Sequence, residues 1–423
     1  MSDTTLKRTC VINPATDRAV KADGKIGQRV IERRRVQKEA KAKPPAPKPA
    51  PPKPAPPKPK AAPKPKPAPK PKPAPAPAPV LGTPLPDIKD VDDTPFINEP
   101  TTAAGKYNLP NRAKFITEVK RLVKGIKNGD CVEPKKFGVV DGYTVRNIIN
   151  LEKRIGTESA YGVIYLTKIA GASDNYKIAS KLFKDSTGNK KEIKVMDYLT
   201  KEILLKQKSR HFLALYNNSL CKDKALKDKL RLLSINELAH GDLKGLVENK
   251  NVMSNDTIVV NMFLQVMISI ATFQKTTSLH HADCHYGNFL FQKNIEKGHY
   301  HYKCEGEDYY LPASDYTMMI YDFGLAKNYK MGLAGGRAVI VDYARIIHAF
   351  INESDGGWCP GGHISKNISQ KMNTIKRDFI MKYTTDEPDN TPGKIIKYLN
   401  ITFPSVFTKL RPPSVINTIP FEI

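Results

Sequence analysis

One tryptophan stands among 423 residues, and the six cysteines (Cys10, Cys131, Cys221, Cys284, Cys304 and Cys359) nowhere form a C-x-x-C pair. Without paired spacing there is neither a zinc-site pattern nor a disulfide framework to read, and reduced thiols are the expectation. No uninterrupted run reaches the ~18 apolar residues of a membrane span. The polar start Met1-Ser2-Asp3-Thr4 shows no signal-peptide pattern. These absences predict an intracellular chain with no membrane span. Acid is also scarce: 42 Asp and Glu face 68 Lys and Arg, for a formal charge of +26.

That charge is uneven. Residues 1–80 hold 20 Lys and Arg against 5 Asp and Glu, so +15 of the +26 lies there. Residues 44–79 contain 19 of the 34 prolines, interleaved with Ala and Lys, and offer no large apolar side chain to bury. Such a stretch favours polyproline II and, at ~3.1 Å per residue, reaches on the order of 110 Å. It reads as a stiff spacer, or as a nonspecific polyanion contact, although no aromatics lie between its lysines to stack on bases. Ahead of it, Cys10-Val-Ile-Asn-Pro-Ala-Thr-Asp-Arg18 resembles the C-x-x-N-P-x-T-x-R adaptor segment found at the ends of proteins in large DNA viruses, without the usual second cysteine. That resemblance implies docking to a virion or host protein.

The rest of the chain carries an ordered series of motifs. His281-Ala282-Asp283-Cys284-His285-Tyr286-Gly287-Asn288 has the form H-x-D-x-x-x-x-N, and Asp322-Phe323-Gly324 follows. An Asp and an Asn five apart on a loop framed by Phe289-Leu290-Phe291 can reach one point. Upstream, residues 151–166 read as strand, turn and strand, with Gly156 and Gly162 in the turn. Glycine there lets backbone N–H groups approach phosphate oxygens. Residues 176–183 alternate as a strand, with Ala179 two before Lys181. A helix is expected over 190–206 with two candidate acids. Glu192 shares a stripe with Met196, Leu199 and Ile203, and Glu202 one with Val195, Tyr198 and Leu205, about 80° round the axis. Residues 232–243 read as a buried strand turning into a polar, Gly-containing segment.

In this order the motifs resemble the protein-kinase superfamily over about residues 147–350, most closely the divergent serine/threonine kinases of large DNA viruses. The resemblance implies an α+β, two-lobed protein-kinase-like fold with a small β-rich N-lobe and a mainly helical C-lobe, preceded by a disordered Pro/Lys/Ala-rich tail. The implied divisions are an adaptor-like segment over 1–40, a linker over 41–105, an N-lobe with N-terminal extension over 106–236 and a C-lobe over 237–423. The implied cofactors are ATP and Mg²⁺, and the implied setting is the host cytoplasm or the virus particle.

Phosphoryl transfer needs a carboxylate by the attacking hydroxyl and oxygen ligands for Mg²⁺ across the phosphates. By resemblance Asp283 is the catalytic carboxylate, and Asn288 and Asp322 are the metal ligands. Lys181 contacts the α- and β-phosphates and pairs with Glu192, the preferred partner, or with Glu202. Gly156 and Gly162 cover the phosphates, Ile164 roofs the adenine, Ala179 adjoins it, and Leu290 joins the nucleotide-binding set. Backbone groups of Glu237 and Ala239 face the adenine edge. Asp242 accepts from ribose hydroxyls or caps the following helix. His281 and Phe323 match lobe-aligning residues, and Asp342 matches a buried aspartate that holds the catalytic loop.

Departures from the family shape the function. His285 stands where protein kinases usually carry lysine and is counted with the catalytic residues. Asp283 and Asp322 lie 39 residues apart, about twice the usual separation, so residues 292–316 form an inserted hairpin or lid. Residues 325–341 are short and lack A-P-E. The first expectation is an ATP- and Mg²⁺-dependent serine/threonine protein kinase acting on protein hydroxyls. A small-molecule kinase of the aminoglycoside or choline type, and a pseudokinase scaffold, are the alternatives. Direct DNA recognition has no zinc-finger, helix-turn-helix or RNA-recognition motif behind it.

Overall fold

The computed structural model describes residues 10–13, 18–21, 109–137, 140–159, 162–172, 177–221, 230–329, 335–351, 364–380 and 391–423. The polyproline spacer and the linker lie outside the described residues. Of the adaptor-like segment, two strands are described, β1 (Cys10–Asn13) and β2 (Arg18–Lys21), which pair antiparallel with Cys10 opposite Lys21.

The main body is mixed α+β, a β-rich sheet followed by helices. Helix α1 (Leu109–Leu122) buries Ile116 and Val119, three residues apart and so on one face. Strands β3 (Glu133–Phe137), β4 (Val140–Val145), β5 (Ile149–Ser159), β6 (Gly162–Ile169) and β7 (Lys177–Lys184) then form an antiparallel meander. Helix α2 (Thr187–Tyr198) begins where the Ser186 side chain accepts from Asn189 N–H at 3.2 Å, and it widens into π-type turns over Leu199–Leu204. Strands β8 (Leu215–Leu220) and β9 (Leu230–Asn236) complete a seven-stranded sheet in the order β3-β4-β5-β6-β7-β9-β8. Strand β7 is buried at six successive positions, Ile178 to Phe183, as expected of an inner strand covered on both faces.

Beyond β9 come β10 (Gly241–Asp242), α3 (Leu243–Glu248), α4 (Lys250–Met253) and α5 (Asp256–Thr277). Helix α5 is long and apolar enough by composition to cross a membrane, but 83% of its apolar window is buried inside the protein, which makes it a core helix. Its few polar residues tie later elements down: Gln265 accepts from Met318 N–H, and Gln274 donates to Asp342. Strands β11 (Leu279–His280), β12 (Phe289–Lys293), β13 (His299–Cys304), β14 (Glu307–Pro312), β15 (Tyr316–Ile320) and β16 (Lys327–Asn328) follow, then α6 (Gly335–Phe350), α7 (Lys366–Ile375), α8 (Thr391–Thr402) and β17 (Phe421–Glu422). The insert before Asp322 is a hairpin, β13–β14, that pairs with β17 from the far end of the chain.

The cysteine expectation needs correction. Cys131 and Cys221 form a disulfide across 90 residues, with Cα atoms 4.8 Å apart. Gly129 N–H donates to the Leu220 carbonyl beside it and sets the two segments side by side. No local spacing signals a pair made by tertiary approach. Cys284 and Cys304 are buried free thiols.

Candidate active site

Residues two apart in a strand share a face, so Ala179 and Lys181 point the same way from β7. The register places Ile164 and Ser234 opposite Lys181, and Leu166 and Asn236 opposite Ala179. Directly opposed side chains lie on one side of a sheet. Ile164, Ala179, Lys181 and Asn236 therefore line a common wall.

Lys181 is 5% exposed, and its Nζ lies 2.8 and 3.1 Å from the two carboxylate oxygens of Glu192. Asp322 Oδ2 is 3.7 Å away. The ammonium also sits over the rings of Phe183 and Tyr321. Burial works against its charge, but Asp322 and Glu192 outweigh burial and hold the Lys181 pKa well above its ordinary value. Glu192 reaches the lysine because it shares the buried stripe of Met196, Leu199 and Ile203. Glu202 lies past the change of helical pitch, on the surface, and pairs with Lys206 one turn on.

A second cluster sits on the loop between β11 and β12. Asp342, fully buried on α6, accepts from His281 N–H (2.6 Å), Ala282 N–H (2.9 Å) and the Gln274 side chain (3.1 Å). Arg345 donates to the Ala282 carbonyl. These bonds hold Ala282 at φ 66°, in the left-handed region a non-glycine residue rarely adopts. The loop then presents Asp283. Asn288 Nδ2 donates to the Asp283 carbonyl at 2.9 Å and lies 3.4 Å from its Oδ2. His285 Nδ1 accepts from Gly287 N–H at 3.1 Å, so a neutral ring carries its proton on Nε2, which faces Asp283 Oδ2 at 3.5 Å.

A ladder joins the two clusters. Strands β12 and β15 pair with Phe289 opposite Ile320, and Tyr321 N–H donates to the Asn288 carbonyl at 3.0 Å. Asp322, the next residue, thereby comes to the end of the ladder that adjoins the Asp283 loop, and the 39-residue separation is taken up by a hairpin that leaves it. Asp322 itself has φ 62°. Phe323 packs between Phe273 and His281, with ring centroids at 5.0 and 5.3 Å.

The remaining expected residues divide. Asp242 Oδ1 caps α3 by accepting from Gly245 N–H at 2.9 Å, and Asp242 lies opposite Leu290 in the β10–β12 pair. Ala239 is half-buried against the core. Glu237 N–H is committed to the Ala214 carbonyl, so that half of its expected backbone contact is taken within the protein. Gly162 starts β6, where an added Cβ would lie 2.7 Å from the Leu182 carbonyl, so sheet packing alone demands glycine there. Gly156 lies on β5 within the irregular pairing between Ile155 and Ser159.

Sequence reasoning missed two features. Glu237 acts through its side chain as well, by a buried pair with Arg112 on α1. Asn236 contributes a buried amide to the wall. Neither has a local sequence signal, since one partner lies 125 residues away and the other is a single polar residue ending an apolar strand. No protein-family model matches the chain, and comparison with curated proteins finds no similar sequence.

Proposed function

We propose that the region from α1 onward is a two-lobed, kinase-like ATP- and Mg²⁺-dependent phosphotransferase that phosphorylates serine or threonine hydroxyls of a protein. The observation that carries this reading is the convergence of Lys181, Glu192 and Asp322 beside a loop that presents Asp283 and Asn288.

Each residue has a stated task. Lys181, held in place by Glu192, supplies positive charge to the nucleotide phosphates. Asp283 accepts the proton of the attacking hydroxyl, and its loop is fixed by Asp342. His285 offers an N–H in place of a lysine cation beside the transferred group.

Asp322 and Asn288 would hold Mg²⁺. Their donor set fits: one carboxylate and one amide oxygen suit a cation that takes its other ligands from phosphates and water. Among the described residues there is no cluster of three or more His, Cys, Asp or Glu that would cage a metal by protein alone. The bound ion neutralises charge developing across the phosphates.

The test uses the full chain with labelled ATP and offers casein, a basic protein, choline and aminoglycosides. Label in protein is expected. Label confined to the small molecules would move the site to the second class, which His285 and Gly287 favour, and no label anywhere would favour a scaffold.

The same assay separates the two acids of the α2 region. Glu192→Gln should lower kcat/KM on the order of 100-fold, because an unanchored lysine no longer sits at the phosphates. Glu202→Gln should leave it unchanged. The adaptor-like segment and basic tail belong to this proposal as docking and polyanion-contact elements that bring the enzyme to its substrate.

A further inference from the structure

Asn236 is the last residue of β9, immediately before the segment that leads into the helical half. It is 2% exposed, and its Nδ2 donates to Ser234 Oγ at 2.9 Å. Its Oδ1 is buried and has no hydrogen-bond partner among the described residues. Buried polar atoms are seldom left so, because water is forfeited and nothing replaces it. An apolar side chain would fill the same corner without that cost. The register puts Asn236 opposite Ala179, on the wall that carries Lys181, so the orphan acceptor belongs to the nucleotide-facing side of the sheet.

We propose that Asn236 selects the base of the nucleotide, its Oδ1 accepting a hydrogen from the exocyclic amine of a 6-amino purine. A 6-oxo purine presents an acceptor at the same edge and would set two acceptors against each other. With Nδ2 donating to Ser234 Oγ, Oδ1 is the atom of the amide left to accept. Rejection of the wrong base then comes from an unpaired buried group, the strongest form of discrimination that a site of neutral polar groups offers. This inference rests on the phosphotransferase reading and names the residue that would hold its donor to adenine nucleotides.

The experiment measures Kd for adenosine and inosine triphosphates with Mg²⁺ on the full chain, and on Asn236→Leu and Asn236→Ser. The unsubstituted chain should favour ATP by about tenfold or more, in line with one hydrogen bond gained and one acceptor clash avoided. Asn236→Leu should weaken ATP by about three- to tenfold and, with the acceptor clash gone, tighten the inosine nucleotide, so that the preference collapses. Asn236→Ser, a smaller change that keeps an acceptor and guards against misfolding of the leucine variant, should give an intermediate ratio. An ATP-to-inosine ratio identical across folded variants overturns the inference while nucleotide binding stands. A preference for the 6-oxo base does so as well, since it requires the amide reversed. If neither triphosphate binds the unsubstituted chain, the phosphotransferase reading fails and Asn236 loses its role with it.

Discussion

Asp283→Ala is expected to lower phosphoryl transfer by about 10²–10⁴-fold, the usual contribution of a positioned acid–base group. Nucleotide binding should stay within about twofold, because an interaction made only as the hydroxyl attacks affects kcat and not ground-state affinity. The geometry supports this separation. Asn288 is held chiefly by the main-chain carbonyl of Asp283, at 2.9 Å, and only loosely by its carboxylate, at 3.4 Å. The loop itself hangs on Asp342 and Arg345, which alanine at 283 leaves alone. The expected contrast is Asp322→Asn, which removes charge from the proposed metal position and from beside Lys181 and should weaken Mg·ATP binding together with turnover. Isotope transfer and nucleotide titration on both variants check the pair. Transfer undiminished in Asp283→Ala would remove Asp283 from the chemistry, and equal loss of ATP affinity in both variants would merge the two roles.

What was legible in the sequence follows what is local. The stripe of Glu192, Met196, Leu199 and Ile203 is periodic within one helix, and it is a face the structure buries, with Glu192 reaching Lys181. The strand alternation through Ala179 and Lys181 is likewise written in seven or eight neighbouring residues. Long-range partners leave no such trace. The disulfide between Cys131 and Cys221 and the bond from Arg112 to Glu237 are made by segments 90 and 125 residues apart that meet only when the sheet is built. Gly162 shows a subtler limit. A glycine in a strand–turn–strand segment reads as a phosphate contact, yet the close Leu182 carbonyl requires glycine there with or without a ligand. The insert could be seen as a long spacing but not as a hairpin sharing a sheet with β17, since parallel pairing to the last residues of the chain has no periodic signature.

Breaking the Arg112–Glu237 pair should be the most damaging change outside the Asp283 loop. Arg112 Nε and Nη2 meet Glu237 Oε1 and Oε2 at 2.8 and 2.6 Å, and both side chains are buried. The remaining oxygen capacity of Glu237 is filled by Ala214 N–H at 3.1 Å and Gln292 Nε2 at 2.9 Å. Arg112 also donates to the carbonyls of Arg210 and Phe212. Burial alone would raise the Glu237 pKa, but Arg112 and the hydrogen bonds from Gln292 and Ala214 outweigh it and hold the carboxyl below its ordinary value. Removing either partner strands the other charge out of water, which costs about 3–5 kcal/mol. For a domain of this size that corresponds to a fall in Tm on the order of 10 °C for Glu237→Ala or Arg112→Ala. The paired replacement Arg112→Met with Glu237→Leu should recover only part of the loss: it leaves no charge unpaired, but Ala214 N–H, Gln292 Nε2 and the carbonyls of Arg210 and Phe212 lose their partners. Thermal unfolding of the two single variants and the double variant decides it. Single variants within about 1 kcal/mol of the parent would mean that water reaches the pair. Because Glu237 follows Asn236 directly, the loss should also appear as weaker nucleotide binding well below the unfolding temperature: α1 holds the strand end that carries Asn236, the residue proposed to meet the base.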